Sequence, residues 1–187
     1  AGRFFTSSVA FPSFQMHMVT LGKPWFAPRI GRNVSPRGEW QYSRPVVLLI
    51  DEFVISSAEH FAAGMHDSGR ATTIGHTTAG SSGNPIRLEV SGFKFQVSRW
   101  REFRTDGSLI EGQGVPADVN VSPTVNDIAG CIDRALICAI DYLKSQGVLS
   151  VSTTYLQRLN DMTGCVLKRR ISGPAAAYHK IVPPIPS

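Results

Sequence analysis

"VVLLIDEFVISSAEHFAAGM", residues 46–65, passes from a block of branched apolar residues into two adjacent serines and a glutamate. The run "RPVVLLI" at 44–50 is short, β-branched and bounded by Pro45 and Asp51, the pattern of a strand buried on both faces of a parallel sheet. From Ser56 the period changes. Ala58, Phe61, Ala62 and Met65 recur at i, i+3, i+4 and i+7, one stripe of an amphipathic helix, and Gly69 in "DSGR" is a suitable stop. "ATTIG" at 71–75 supplies a second strand, so about thirty residues make a βαβ unit with a right-handed crossover.

The loop that follows, "HTTAGSSGNP" at 76–85, is too long and too rich in small residues to be only a connection. "IRLEV" and "FKFQV" alternate around Ser91 and Gly92 and predict a hairpin. After "FRTDGSLIEGQGVPADVNV" the spacing of Ile128, Cys131, Ile132, Ala135 and Ala139 predicts one long helix, with Asn126 or Asp127 near its amino end. Upstream, residues 1–44 read as covering structure, with "FPSFQMHMV" a short strand and "APRIGRNVSPRGEW" a loop. Residues 1–146 are expected to form one domain and 147–187, with weak periodicity, an extension or tail.

Composition bounds the function. With 42% hydrophobic and 18% charged residues over 187 positions, the chain is that of a globular domain rather than a disordered one. The formal charge is +5, but basic residues are scattered from Arg3 to Lys180, whereas a nucleic-acid footprint needs clustering on one face. The densest spots, "SRWREFR" at 98–104 and "KRR" at 168–170, read as solvated strand edge and tail. No run of about 18 apolar residues occurs, so no membrane-spanning helix is expected. "AGRFF" lacks the basic-then-apolar order of a signal peptide. Cys131 and Cys138, on a predicted helix, would hold their Cα atoms about 10 Å apart, too far for a disulfide. Cys165 can pair with one of them only if the tail folds back, and buried free thiols are expected. No His-x-x-x-His or Cys-x-x-Cys spacing supports a metal, and no cofactor is implied.

Ser56 and Ser57 carry two readings. One is capping: a serine hydroxyl accepts from an N–H in the first turn, and Glu59 completes a capping box. The other is chemical. A serine between a buried strand and a helix sits at the carboxyl edge of a sheet, with free N–H groups and the helix dipole aimed at any oxygen that turns negative during acyl transfer. Both predict the same residues.

The ordered motifs "PVVLLIDEFVISSAEHFAAGMHDSGRATTIGHTTAGSSG", "DGSLIEGQGVPADVNVSPT" and "DIAGCIDRALICAI" resemble the catalytic core of the tail-specific, or carboxy-terminal-processing, serine peptidases over about residues 42–143. The resemblance implies an α/β fold, a crotonase- and caseinolytic-protease-like spiral of βαβ units with an added β-hairpin, forming an incomplete domain. Its Ser-x-x-Glu motif falls on Ser56–Glu59, which makes Ser56 the nucleophile and the Ser57 N–H one oxyanion donor. The second donor in such enzymes comes from an Asp-x-Arg-x-Asn-x-Gly-Gly turn, which this sequence lacks. "AGRFF" resembles the helix after that turn, so the chain is expected to begin within a catalytic domain.

The base departs from the simplest branch. Where a Ser–Lys dyad has lysine after the glycine of the Thr-x-Gly loop, this sequence has Ser81 after Gly80. The tricorn-like branch uses an upstream histidine and a glutamate before Gly-Val-x-Pro-Asp. Glu111 matches that glutamate and Asp118 the aspartate, whereas Ala117 stands in place of proline. Glu111 is thus a candidate to orient a base or the substrate amine, or else a solvated loop carboxylate. Of the histidines, His76 opens the loop expected near Ser56; His17, His60, His66 and His179 read as surface or satisfied core. The expectation is a serine endopeptidase with a polypeptide substrate, and with either an upstream part of the protein or a second copy as partner. The residues themselves leave its location open; the resemblance alone favours an extracytoplasmic or secreted one. Substrate would add as a strand, with "GFKFQVSRW" as edge or wall, although Phe93, Phe95 and Trp100 read more simply as core. The rival is an inactive binding module of the same fold for apolar ligands or peptides.

Overall fold

The computed structural model describes residues 1–147. After a single 3₁₀ turn at Gly2–Phe4 come strands β1 (Val9–Thr20), β2 (Lys23–Phe26), β3 (Ile30–Val34) and β4 (Val47–Ile50). Helix α1 (Ser57–Asp67) leads to β5 (Thr72–Gly75), β6 (Ile86–Val90), β7 (Phe93–Val97), β8 (Trp100–Phe103) and β9 (Val119–Asn120). Two helices follow, α2 (Val125–Ala129) and α3 (Arg134–Ser145). The architecture is mixed α/β.

The expected βαβ unit is present. β4 and β5 pair in parallel with Val47 opposite Thr72 and Ile50 opposite Gly75, and β9 adds in parallel to β5. Helix α1 ends where Gly69 takes a positive φ of 66°. There the Gly69 N–H reaches His66 O and the Arg70 N–H reaches Met65 O, the paired bonds of a Schellman stop. Leu48 and Ile50 point toward α1 and pack with Ala62, Ala63, Ile110 and Val115. On the opposite face Thr72, in register with Val47, bonds the Tyr142 hydroxyl of α3 at 2.9 Å. That face is only partly covered. Leu49 is 44% exposed, so β4 is not buried on both faces as its apolar run suggests.

The amino-terminal segment is more than covering structure. β1 is the long strand of an antiparallel sheet, pairing with β2, β3 and β8. The expected loop at 27–40 therefore contains a strand, Ile30–Val34, whose apolar content is too low to signal it. Phe11 of β1 packs with Phe5, Met65 and Ala71, joining the antiparallel sheet to the other side of α1. The expected long helix after residue 124 is broken. Thr124 caps α2, Gly130 ends it, Cys131 turns with φ 55°, and Asp133 caps α3 through the Leu136 N–H. Two caps within ten residues outweigh a continuous apolar stripe. Arg134 bonds back to Asp127 across the break. Among the described residues Cys131 is buried and Cys138 half-buried, both free thiols; Cys165, His179, "KRR" and the expected tail lie outside the described residues.

The hairpin forms as expected, with Ser91 and Gly92 both at positive φ, but its aromatic residues are not core. Phe93 is 69% and Phe95 49% exposed, because β6 and β7 form a separate two-stranded sheet with nothing laid against either face among the described residues.

The approach of α1 to β1 depends on Gly64. A Cβ there would lie 2.3 Å from the Phe11 ring. Gly64→Ala should therefore destabilise the fold by about 1–3 kcal/mol through overpacking. The gain of about 1 kcal/mol in helix propensity would be offset. Urea denaturation measures this, and an unchanged or higher midpoint would show that the contact is not tight.

Candidate active site

The six residues between β4 and α1, Asp51 to Ser56, bring Ser56 to the helix start in an unusual conformation, φ 56° and ψ −123°. That region favours glycine, and holding a serine there costs about 1–3 kcal/mol unless surrounding bonds fix it. They do. The Ser56 N–H donates to Ser81 O at 2.8 Å and its carbonyl accepts from the His60 N–H at 3.0 Å. Ser56 and Glu59 stand in capping-box positions, and the Ser56 N–H also reaches Glu59 Oε2 at 3.2 Å.

Glu59 is fully buried and ties the corner to the small-residue loop. Its carboxylate accepts from Thr78 Oγ1 at 2.6 Å, the Gly80 N–H at 2.6 Å and the Ser81 N–H at 2.8 Å, besides Ser56. The Thr78 hydroxyl accepts in turn from the Val115 N–H at 2.8 Å, and Gly112 N–H donates to Gly80 O at 2.8 Å. Gly80 is obligatory there: its φ is +66°, and a Cβ would lie 2.9 Å from the backbone nitrogens of residues 112–114. The loop at 76–85 is thus a bracket between α1 and the segment carrying Glu111.

Beside this corner lies a cleft of about 250 Å³ lined by Arg32, Ser56, Ser57, His60, Ser82, Asn84, Trp100 and Glu102. Ser57 is exposed on its rim at the first helical position, where an N–H has no partner within the helix. Glu102, 2% exposed, accepts from Arg32 Nη1 at 2.9 Å and from Ser82 Oγ at 2.5 Å, and sits 2.6 Å from His60 Nδ1. Burial alone would raise its pKa, but the bonds to His60 and Ser82 and the charges of His60 and Arg32 outweigh that and hold it below the ordinary carboxylate value.

Glu111 does not line the cleft; it stands behind it. Both of its oxygens accept from the Glu102 N–H, at 3.0 and 2.9 Å. Burial pushes its carboxyl above the ordinary value, backbone bonds pull part of the way back, and the nearby charges of Glu102 and Glu59 add to the rise. Asp118 brackets β5, accepting from the Thr73 N–H at 2.8 Å and its hydroxyl at 3.0 Å. His66 lies between Asp67 and Asp118 and beside Arg104, His17 meets the Phe26 ring edge-on, and His76 pairs with Ser122 rather than facing the cleft. The arginines of "SRWREFR" have internal partners: Arg99 bonds Asn84 O, Arg101 bonds Gln15, and Arg104 bonds Asp67.

Sequence reasoning missed Arg32, His60 and Glu102 as a group. Arg32 and Glu102 belong to different strands that meet only through β1, and no local spacing announces that. A signal for His60 did exist: it falls four residues after Ser56, on the same helical face.

A mixed α/β domain with a strained serine at a strand-to-helix corner, opening on a polar cleft, is what the fold and the site define. The model of peptidase family S41 matches residues 15–121, more than half of the chain, and the chain belongs to that family. A protein of Chlamydia pneumoniae is 34% identical over 117 residues, and one of Chlamydia muridarum 32% identical over 99 residues. The matches cover 59% and 51% of this chain but only 18% and 16% of those proteins. The fold is similar to that of a candidate peptidase from Parabacteroides merdae, with a TM-score of 0.68, 23% identity, and coverage of 81% of this chain and 48% of that one. Mature CPAF complexed with lactacystin gives a TM-score of 0.61 at 17% identity, over 79% of this chain and 39% of that one.

Two outcomes test the site's construction. Glu59→Ala should destabilise by about 3 kcal/mol or more, since it leaves several buried donors unmatched, and an unchanged melting temperature would contradict the bracket. Glu102 has its carboxyl held down in the fold, so its contribution to stability is complete above the unfolded value of about 4.3 and is lost as pH falls through the lower folded value. Denaturation midpoints between about pH 6 and 3 should fall more steeply for the wild type than for Glu102→Gln.

Proposed function

We propose that the chain carries the nucleophile of a serine endopeptidase. Ser56 Oγ attacks a peptide carbonyl, the Ser57 N–H holds the tetrahedral oxyanion with the positive end of α1 behind it, and water hydrolyses the acyl-enzyme. The observation that carries this reading is the Ser56 backbone, φ 56° and ψ −123°, beside a cleft its hydroxyl can face. A plain cap gains nothing from that strain, whereas a nucleophile on a sharp strand-to-helix turn is thrust toward substrate by it. Membership of a peptidase family supports the same chemistry and a polypeptide substrate.

Ser81 in the dyad-lysine position supports the tricorn-like branch, with Glu111 as a positioning residue behind the cleft rather than a group that touches substrate. On this reading β4, β5 and β9 are turns of a crotonase-like spiral, residues 1–146 are the carboxy-terminal part of its catalytic domain, and 147–187 are an extension. The whole protein's substrates and partners belong to the proposal as well, since the chain aligns with under a fifth of its Chlamydia relatives.

A fluorophosphonate probe on the full-length protein tests it. Labelling should vanish in Ser56→Ala and persist in Ser57→Ala, because residue 57 contributes through its backbone. A folded wild type that takes no label would turn the reading toward a binding module.

A further inference from the structure

One face of the β6–β7 hairpin is apolar throughout. The register sets Ile86 opposite Val97, Leu88 opposite Phe95 and Val90 opposite Phe93. Directly opposed residues share a face, and so do residues two apart on one strand, so all six side chains stand on the same side. Arg87, Glu89, Lys94 and Gln96 take the other side, with Glu89 opposite Lys94.

The six apolar residues are between 37% and 69% exposed. Together they leave roughly 600 Å² of apolar surface, the top of the range for the largest patch on a monomer. A two-stranded hairpin is also marginal by itself in water and takes its stability from a third strand or from packing on one face. Among the described residues neither is supplied, since β6 and β7 make a sheet of their own. The root of the hairpin, by contrast, is fixed. The N–H groups of Arg99 and Trp100 donate to Gly83 O at 2.9 and 3.3 Å, and Asn84 and Trp100 line the cleft. The hairpin therefore stands out from the cleft rim on a firm base.

We propose that this apolar face is a homodimer interface, covered by the same face of a second copy of the chain. A two-fold axis through the Leu88–Phe95 pair lays one hairpin on the other as the two layers of a small sandwich. That pairing buries about 1,200 Å² in all, where specific interfaces begin. Homodimer contacts are more apolar than contacts between proteins that meet and part, and a face without one polar side chain belongs with the former. Arg87, Glu89, Lys94 and Gln96 stay in water on the outside of both layers. The contact lies beside the cleft and does not depend on which residue is the nucleophile. Each copy steadies the hairpin that bears the other's Asn84 and Trp100.

Sedimentation equilibrium of the full-length protein is the test. The wild type should dimerise with a dissociation constant on the order of micromolar, as suits an interface of this area. Phe95→Lys sets two like charges beside the axis and should weaken association by about 100-fold or more. Gln96→Lys, one residue further but on the polar face, should associate as the wild type does. Facing sheets lie about 10 Å apart, so a short bis-maleimide should join Leu88→Cys into a covalent dimer above the wild-type background and should not join Glu89→Cys. A wild type that stays monomeric well above micromolar concentration overturns the proposal and leaves the face to another segment of the same polypeptide, a different protein or a membrane. A dimer that Phe95→Lys does not weaken, or that Gln96→Lys weakens equally, overturns it by placing the contact elsewhere. Cross-linking of Glu89→Cys as readily as Leu88→Cys does the same.

Discussion

The buried carboxylate of Glu59 is the constraint on which the corner depends. It accepts from Ser56, Thr78, Gly80 and Ser81, and each bond to such a group is worth about 1.5–3 kcal/mol. The strain of one residue outside its favoured basin is about 1–3 kcal/mol. The bonds win. The serine is therefore held in a conformation that its own backbone would abandon, and the loop after β5 is brought against the start of α1. Through Thr78 and Val115 the same carboxylate reaches the segment that carries Glu111, so three stretches distant in sequence share one anchor.

A second set of carboxylates stands beside the first. Glu102 is drawn down in pKa by cationic and hydroxyl neighbours, while Glu111 behind it is pushed up by burial and by the two acids nearby. Three glutamates in one small region thus occupy three environments: one clamps backbone, one gathers an arginine and a histidine at the cleft wall, and one takes the Glu102 main-chain N–H from behind. The division follows from the elements that hold them, α1 for Glu59, β8 for Glu102 and the loop after it for Glu111.

Much of this was legible in the sequence wherever a local rule governs. The change of period at Ser56 gave the βαβ unit, Gly69 the end of α1, and Ser91–Gly92 the hairpin turn. Ser56 and Ser57 lie on the cleft because a strand-to-helix junction must put its first helical residues at the sheet's edge. Long-range pairing was hidden. β3 has only five residues and few apolar ones, yet its pairing with β1 carries Arg32 to Glu102. The stripe through Ile128 and Ala139 suggested one helix because periodicity does not register two competing caps. The exposure of Phe93 and Phe95 was also invisible, since alternation in a hairpin announces an apolar face without saying what lies against it.

Of the bonds Glu59 receives, those from Ser56, Gly80 and Ser81 come from the main chain, and Thr78 alone contributes a side chain. The side chains of Ala79 and Ser81 are consequently free of any duty in that anchor. Evolution can rewrite those two positions, swapping one proton-handling device for another or none, while the geometry of the hydroxyl at the bend stays as it was.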